Sequence, residues 1–267
     1  MHNIATNFNQ ILDFASQMQV PVVKRRGVIR EYLQAKFIST LYALPNSNKL
    51  SFVGGTSLRL LRNLNRFSED LDFDNLGLSS KEVGSLVLEV VRRFQAEGLD
   101  IELKAHIKEG KTYYDIRFLN LLSELKISSN TKEKLMIKFD YADFWKGQNV
   151  EVVLLNKYGF IENIVVNNLN QALVQKMTAY VRRKITQPRD IYDIVWLYSQ
   201  GAVVDADFAT KNSLGGIIRE VRGRFKSEGI PENFKNKLQP FLFNPKDVRK
   251  LDLFENVLKQ LELKEQS

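Results

Sequence analysis

The segment from residue 52 to residue 74 constrains the fold of this 267-residue chain more than any other part. It contains a short apolar run, the pair Gly54–Gly55, a helical stretch and a strand in which acidic and apolar residues alternate. Successive side chains of a strand point to opposite faces, so Asp70 and Asp72 share one face, while Leu71 and Phe73 share the other. The pattern predicts a strand, a glycine turn, a helix and a second strand that carries two carboxylates on one face.

Strand patterns and helix patterns are segregated along the chain. Apolar residues at helical spacing predict two helices before residue 45, strand patterns recur as far as residue 166, and the pattern is helical from residue 169 onward. Runs of strands followed by runs of helices are typical of α+β proteins. We therefore predict an α+β fold, with N-terminal helices and a sheet domain in residues 1–166 and a helical domain in residues 167–267.

Composition excludes several kinds of site and partner. The chain has no cysteine and two histidines, which excludes disulfides, thiolate metal sites and a multi-histidine zinc site, so any metal must bind mainly through oxygen. The net charge of +8 favours a phosphate-rich partner such as RNA, DNA or a nucleotide. No apolar run approaches the roughly 20 residues of a membrane span. The N-terminus also lacks the features of a signal peptide, which predicts a cytoplasmic protein without a membrane partner.

The glycine pair is predicted to bind phosphate. Gly54 and Gly55 can adopt backbone conformations that other residues avoid, and they let a phosphate approach closely. We place Thr56 at the N-cap of the following helix, where its hydroxyl, that of Ser57 and the free N–H groups would bind β- and γ-phosphates. The alternative is a structural corner without a ligand, which would be the better interpretation if the glycine pair stood alone.

Three carboxylates are candidates for a metal site. Asp70 and Asp72 would hold a divalent ion that bridges the phosphates and an attacking hydroxyl. Such a site commonly uses a third carboxylate on a neighbouring strand, which also orients the nucleophile. Asp140 is the best placed candidate, because apolar residues occupy the other face of its predicted strand, and Asp115 is a rival. A solvated acidic face is the alternative that remains open for Asp140.

The helical half contains a second group of charged candidates. Lys176 lies at the edge of an apolar helix stripe, where it can either extend towards solvent or reach a triphosphate. Asp190 follows Pro188 in the first turn of a helix and could simply complement the helix dipole. Asp193 is flanked by apolar residues and, if buried, needs a cation, either Arg189 or Lys176. Local physics leaves the functional and structural interpretations equally open.

Taken in order, these residues resemble the AbiEii/AbiGii nucleotidyltransferase toxin family and the similar MenT toxins, within the DNA-polymerase-β-like superfamily. The resemblance rests on the Gly-Gly-Thr run at 54–56, the block Arg-Phe-Ser-Glu-Asp-Leu-Asp-Phe at 66–73, Lys176 and residues 189–193. It covers roughly residues 25 to 200. The Asp-x-Asp core alone indicates only the wider superfamily.

The resemblance implies a fold, an activity and partners. The fold would be a polymerase-β-like sheet domain followed by a helical C-terminal half. The activity would be Mg²⁺-dependent (or Mn²⁺-dependent) transfer of a nucleotide from an NTP to RNA, at the acceptor end of tRNA, which blocks translation. A separately encoded antitoxin protein would be the partner, and some members act in phage defence.

The resemblance also implies residue roles. Asp70 and Asp72 become metal ligands, and Lys176 becomes a catalytic or triphosphate-binding lysine. Asp190 matches the downstream acidic position, with Asp193 a close second. The predicted nucleotide contacts are Gly54, Gly55, Thr56, Ser57, Arg66, Ser68, Lys176, Arg189 and Asp193. Asp140 is not fixed by the family pattern and remains an inference from its strand.

The sequence leaves two alternative functions open. The same fold could transfer a nucleotide to a small molecule or to a protein hydroxyl. The chain could also be a non-catalytic protein that senses a nucleotide.

Overall fold

A computed structural model describes residue 4, residues 6–108 and residues 111–266. The chain divides into two compact units. Unit 1 consists of Met1–Asn63, Phe67–Asp143 and Val152–Val166, and unit 2 consists of Leu64–Arg66, Phe144–Glu151 and Asn167–Ser267. Two short segments that precede residue 167 thus belong to the C-terminal unit, so neither unit is continuous in sequence. The division into a sheet domain of residues 1–166 and a helical domain of residues 167–267 stays a prediction.

Unit 1 is built around a mixed sheet. Its helices are α1 (Phe8–Gln17), α2 (Arg25–Tyr42), α3 (Gly54–Arg62), α4 (Ser80–Ala96) and α5 (Leu121–Glu124). Its main strands are β1 (Leu50–Val53), β2 (Asp70–Asn75), β3 (Ile101–Lys108), β4 (Lys111–Phe118) and β5 (Leu135–Ala142). They form a five-stranded sheet in the order β1-β2-β5-β4-β3. The β2–β5 pair is parallel, and the other pairs of this sheet are antiparallel.

The apolar face of the sheet is buried against α2 and α4. Phe139 of β5 stacks on Phe73 of β2 at a centroid distance of 4.6 Å, and the ring of Phe37 on α2 lies 6.0 Å from Phe139. Phe37 in turn meets Phe94 of α4. All four rings are buried. Because strand side chains alternate, this packing directs the intervening polar residues of β2 and β5 to the opposite face.

Local signals in the sequence agree with several boundaries. Ser79 caps α4 in a capping box with Glu82. Strands β3 and β4 form an antiparallel pair, as their patterns predict for a hairpin with its turn at residues 109–111. Glu109 and Gly110 lie outside the described residues, and Lys111 is the first residue of β4 instead of a turn residue. A separate two-stranded sheet contains β6 (Val150–Lys157) and β7 (Phe160–Asn167).

Unit 2 is helical, which confirms the predicted α+β fold with a helical C-terminal part. Its helices are α6 (Leu169–Arg182), α7 (Pro188–Ser199), α8 (Ala206–Lys211), α9 (Ile217–Glu228), α10 (Asn233–Leu238) and α11 (Phe254–Gln266). Arg224 of α9 donates hydrogen bonds to the carbonyls of Tyr180, Val181 and Arg183, which satisfies the C-terminal end of α6. Among the helices of the described ranges, none has the length and apolar character that crossing a bilayer requires.

Candidate active site

The polar face of the sheet brings three carboxylates of unit 1 onto neighbouring strands. In the parallel β2–β5 pair, Asp72 lies opposite Asp140, and Asp70 lies opposite Lys138. Directly paired residues of neighbouring strands project from the same face, so all four side chains share one face of the sheet. We call this surface, with Asp70, Asp72 and Asp140, the acidic face. The sequence pattern predicts Asp140 on the polar face of its strand, and the strand pairing places it there, opposite Asp72. Its role as a third carboxylate stays a prediction.

The rival carboxylate, Asp115, has other partners. It lies on β4 opposite Lys138, but its Oδ2 is 2.9 Å from His106 Nε2 and accepts a hydrogen bond of 2.9 Å from Arg117. Burial raises the pKa of Asp115, but the hydrogen bonds from His106 and Arg117 outweigh it and hold the pKa below its usual value. Two cationic or hydrogen-bonding neighbours thus compete with any metal for this carboxylate.

The glycine turn lies directly against the acidic strand. Val53, the last residue of β1, pairs with Asp72, and Gly54 follows with a left-handed φ of +76°. A Cβ at Gly54 would overlap Oδ2 of Asp72. Glycine is therefore required here both by the backbone conformation and by the close approach of the carboxylate. Gly55, which follows it, is buried within the first turn of α3.

The N-cap prediction for Thr56 is wrong. The turn at Gly54 lets α3 begin three residues earlier, with Val53 in the N-cap position. Thr56 is fully buried, and its Oγ1 donates a hydrogen bond to the carbonyl of Asp70, which ties α3 to β2. That hydroxyl is inaccessible to a phosphate in this structure. Ser57 is 6% exposed, and its predicted phosphate contact stays a prediction.

We expect Gly54→Ala to impair the acidic face more than it impairs the fold. The left-handed conformation costs an alanine about 1–2 kcal/mol. The added methyl group must also displace the Asp72 carboxylate. A displacement of about 1 Å at a reacting centre lowers a rate by about a hundredfold. Nucleotide-transfer assays and urea unfolding measure the two effects. Gly98→Ala is the matched control, because Gly98 also has positive φ but an added methyl group would meet no atom within 4 Å. Equal activity of both variants would contradict the prediction.

Lys138 is the cation of the acidic face. Its Nζ lies 2.8 Å from Oδ2 of Asp140 and 4.3 Å from the ring centroid of Tyr113. Burial lowers the pKa of Lys138, but the pairing with Asp140 and the charges of Asp70 and Asp72 outweigh it and raise the pKa above its usual value. The ammonium group therefore interacts with all three carboxylates.

The donor chemistry of this face suits a hard divalent cation. Carboxylate oxygens are preferred by Mg²⁺, which commonly binds one or two protein carboxylates together with substrate phosphates and water. Asp70, Asp72 and Asp140 supply such oxygens on one face, beside a turn that only glycine fits. Over the described ranges, no three histidine or acidic side chains are already gathered in a metal-binding arrangement.

Unit 2 contains a buried ion-pair cluster around Asp193. Arg66 donates two hydrogen bonds to this carboxylate, of 2.7 and 2.6 Å, and both side chains are at most 1% exposed. Lys176 Nζ lies 2.7 Å from Asp193 Oδ2. Burial raises the pKa of Asp193, but Arg66 and Lys176 outweigh it and hold the pKa below its usual value. The predicted Lys176 partner is confirmed.

Arg66 is the partner that sequence reasoning missed. It is 127 residues away from Asp193 in the chain, so no local pattern indicates the pairing. The family resemblance at residues 66–73 singles out Arg66, but as a nucleotide contact. In the structure its guanidinium is enclosed and bound to Asp193, so neither side chain is exposed to a ligand. Ser68 and Arg189 are half-buried, and their predicted nucleotide contacts stay predictions.

Asp190 is buried, and no group in the described part of the chain donates a hydrogen bond to its carboxylate. Its carboxylate is on the first turn of α7, and Arg183 Nε lies 3.3 Å from its Oδ2 outside hydrogen-bonding geometry. Burial raises the pKa of Asp190, and the positive charges of Lys176 and Arg183 offset this only in part. The charged form is therefore less favourable in the folded protein than in the unfolded chain, which is unusual for a residue with a purely structural role.

We expect Asp190→Asn to leave the protein at least as stable as the wild type at pH 7. A raised pKa means that the folded state binds more protons between pH 3.8 and the folded-state pKa, so stability falls as the pH rises through that window. Asparagine has no carboxyl proton to lose, so the variant avoids this loss of stability. Its stability advantage over the wild type should vanish near pH 4, close to the pKa of 3.8 that the carboxyl has in the unfolded chain. Thermal unfolding of both proteins at pH 4 and pH 7 measures it, with the exposed Asp207→Asn as control. A lower melting temperature for Asp190→Asn at pH 7 would refute the prediction.

Comparisons with known proteins agree with this architecture. The model of the family "Nucleotidyl transferase AbiEii toxin, Type IV TA system" matches residues 36–260. The crystal structure of JHP933 from Helicobacter pylori superposes with a TM-score of 0.50 at 18% identity and covers 90% of this chain and 95% of its own. A second H. pylori structure, provisionally described as a nucleotidyltransferase, has a TM-score of 0.48 at 18% identity, covering 88% and 96%. None of the curated proteins matches the sequence.

Proposed function

Because the chain belongs to the AbiEii nucleotidyltransferase toxin family of type IV toxin–antitoxin systems, we propose that it transfers a nucleotide from an NTP to RNA, at the 3′ acceptor end of tRNA. The observation that carries the proposal is the acidic face, where Asp72 and Asp140 are paired beside the Gly54 turn. Nucleotidyl transfer needs such carboxylates to hold divalent cations against a triphosphate. The net charge of +8 favours an RNA acceptor.

In this proposal, Asp70, Asp72 and Asp140 hold Mg²⁺ or Mn²⁺. A bound divalent ion supplies positive charge that neutralises the triphosphate and makes the acceptor hydroxyl more acidic. The Asp140 carboxylate accepts the proton of the RNA 3′-hydroxyl, whose oxygen forms a bond to the α-phosphorus. The bond between the α-phosphorus and the bridging oxygen breaks, and pyrophosphate leaves.

Lys176 is proposed to contact a phosphate oxygen of the nucleotide. Arg66 alone balances the charge of Asp193, so the trio of Arg66, Lys176 and Asp193 carries a net charge of +1. The Lys176 side chain is 13% exposed, whereas those of Arg66 and Asp193 are at most 1% exposed, so Lys176 is the most accessible member of the trio. We further propose that the reaction occurs in the cytoplasm, blocks translation, serves phage defence and is opposed by a cognate antitoxin protein.

A labelling experiment tests the proposal. The protein is incubated with each of four α-³²P-NTPs and with separate pools of cellular RNA, cellular protein and aminoglycosides, with Mg²⁺ or with EDTA. We expect label in RNA of tRNA length, with Mg²⁺ only. Label in protein or in the drug pool would replace RNA with the alternative acceptor. Metal-dependent NTP binding without transfer would instead support a nucleotide-sensing protein.

A further inference from the structure

The ammonium group of Lys138 is paired with Asp140 and is also attracted by the charges of Asp70 and Asp72. Lys138 lies opposite Asp70 across the parallel strands and two residues before Asp140, so its side chain projects among the acids. It pairs directly with Asp140 at 2.8 Å. With all four groups ionised, Asp70, Asp72, Asp140 and Lys138 together carry a net charge of −2.

The position of Lys138 is set by side chains of two further strands. The ring of Tyr113 on β4 lies 4.3 Å from the Lys138 ammonium, a favourable cation–π distance. Tyr113 is stacked on the ring of His106 on β3, with centroids 4.5 Å apart and an interplanar angle of 9°. His106 is in turn bound to Asp115. This series of contacts directs the ammonium group towards the carboxylates instead of into solvent.

A fixed ammonium group affects two kinds of ligand in opposite ways. A bare divalent ion is attracted by the carboxylates but repelled by Lys138. A divalent ion that arrives on a triphosphate carries several negative oxygens, which Lys138 attracts. Charge–charge interactions over a few ångströms are appreciable even in water, so the two effects are large enough to measure.

We propose that Lys138 is a positioning and selectivity residue, which makes the acidic face disfavour free divalent ions and favour divalent ions bound to an NTP. The proposal rests on the proposed function, because it takes Asp70, Asp72 and Asp140 as the metal ligands. Lys138 then ensures that the metal and the nucleotide enter together. It also holds the Asp140 carboxylate beside Asp72 before they bind.

Mn²⁺ binding tests the proposal without any acceptor. The Kd of free Mn²⁺ is measured by electron paramagnetic resonance, and the Kd of an α,β-non-hydrolysable NTP analogue is measured at saturating Mn²⁺. Lys138→Met should bind free Mn²⁺ about tenfold more tightly and the analogue about tenfold more weakly. Lys138→Arg should keep both wild-type values. The control is Lys134→Met, which removes an equal charge just before β5, where Lys134 pairs with the exposed Glu102.

The opposite shifts distinguish selectivity from a structural role. A variant that merely loosened the fold would bind both Mn²⁺ and the analogue more weakly, and that result overturns the proposal. An unchanged Mn²⁺ affinity of Lys138→Met overturns it as well. Tyr113→Leu is a second variant that keeps the charge but removes its support, and it should shift both constants in the same directions by a smaller factor. If the shifts occur and the wild type transfers no nucleotide, the function fails while the inference stands. Absence of Mn²⁺ binding by the wild type and by Lys138→Met, with and without the NTP analogue, overturns both.

Discussion

Replacing Asp72 with asparagine should reduce nucleotide transfer by about a thousandfold or more while leaving the fold intact. Asp72 lies opposite Asp140 and against Gly54, so it is the most central of the three carboxylates on this face. Loss of one carboxylate removes a metal ligand and a full negative charge, and losses of this size correspond to about 4 kcal/mol of transition-state stabilisation. The assay is the rate of label transfer from the preferred NTP.

The control for this prediction is Asp13→Asn, which changes the same functional group on the exposed surface of α1. It should keep full activity. Circular dichroism and the melting temperature establish that Asp72→Asn is folded. Full activity of a folded Asp72→Asn protein would remove the acidic face from the mechanism, and with it the proposed function.

Replacing Arg66 with methionine should strongly destabilise the protein. Arg66 and Asp193 are at most 1% exposed and form two hydrogen bonds to each other. Removal of one partner of a buried pair leaves an uncompensated charge, which costs about 3–5 kcal/mol. For a chain of this length, that corresponds to a fall in melting temperature of about 10 °C. Lys176 stays close to Asp193 and reduces the loss, so Asp193→Leu, which leaves Arg66 buried without this carboxylate, should cost more.

The double variant Arg66→Met/Asp193→Leu separates charge burial from packing. Apolar groups of similar volume often replace a buried ion pair without loss, so we expect the double variant to recover most of the stability. Lys176 would then keep its charge but lose the Asp193 carboxylate that holds its ammonium group in place, so nucleotide affinity should still decrease. Additive losses in the double variant would show that packing around these side chains, and not their charge, governs stability.

The sequence predicted those parts of the site that depend on short-range periodicity. Alternation along β2 placed Asp70 and Asp72 on one face, and the same rule on β5 selected Asp140. Neither pattern contains the strand order, and the pairing of Asp72 with Asp140 depends on β5 inserting between β2 and β4. The cluster of Lys138 with three acids follows from that insertion, so it could not be derived from one strand.

Two further features depend on conformations that local residue preferences do not specify. Thr56 has an ideal N-cap side chain, but the left-handed turn at Gly54 allowed the helix to begin earlier and freed Thr56 to bind the Asp70 carbonyl. The pairing of Arg66 with Asp193 joins residues 127 positions apart. Burial of Asp193 was predictable from its apolar neighbours, but its principal cation was not.

The assignment of Leu64–Arg66 to the C-terminal unit has a consequence for any attempt to dissect the protein. A fragment that starts at residue 167 would contain Asp193 without Arg66, and a fragment that ends at residue 166 would carry Arg66 without its carboxylate. The buried counterion of Asp193 in the helical half is therefore Arg66, which lies in the segment that precedes β2. Truncation at residue 166 would separate the two partners of this buried ion pair and leave Asp193 to Lys176, so the two units are best produced and studied as one chain.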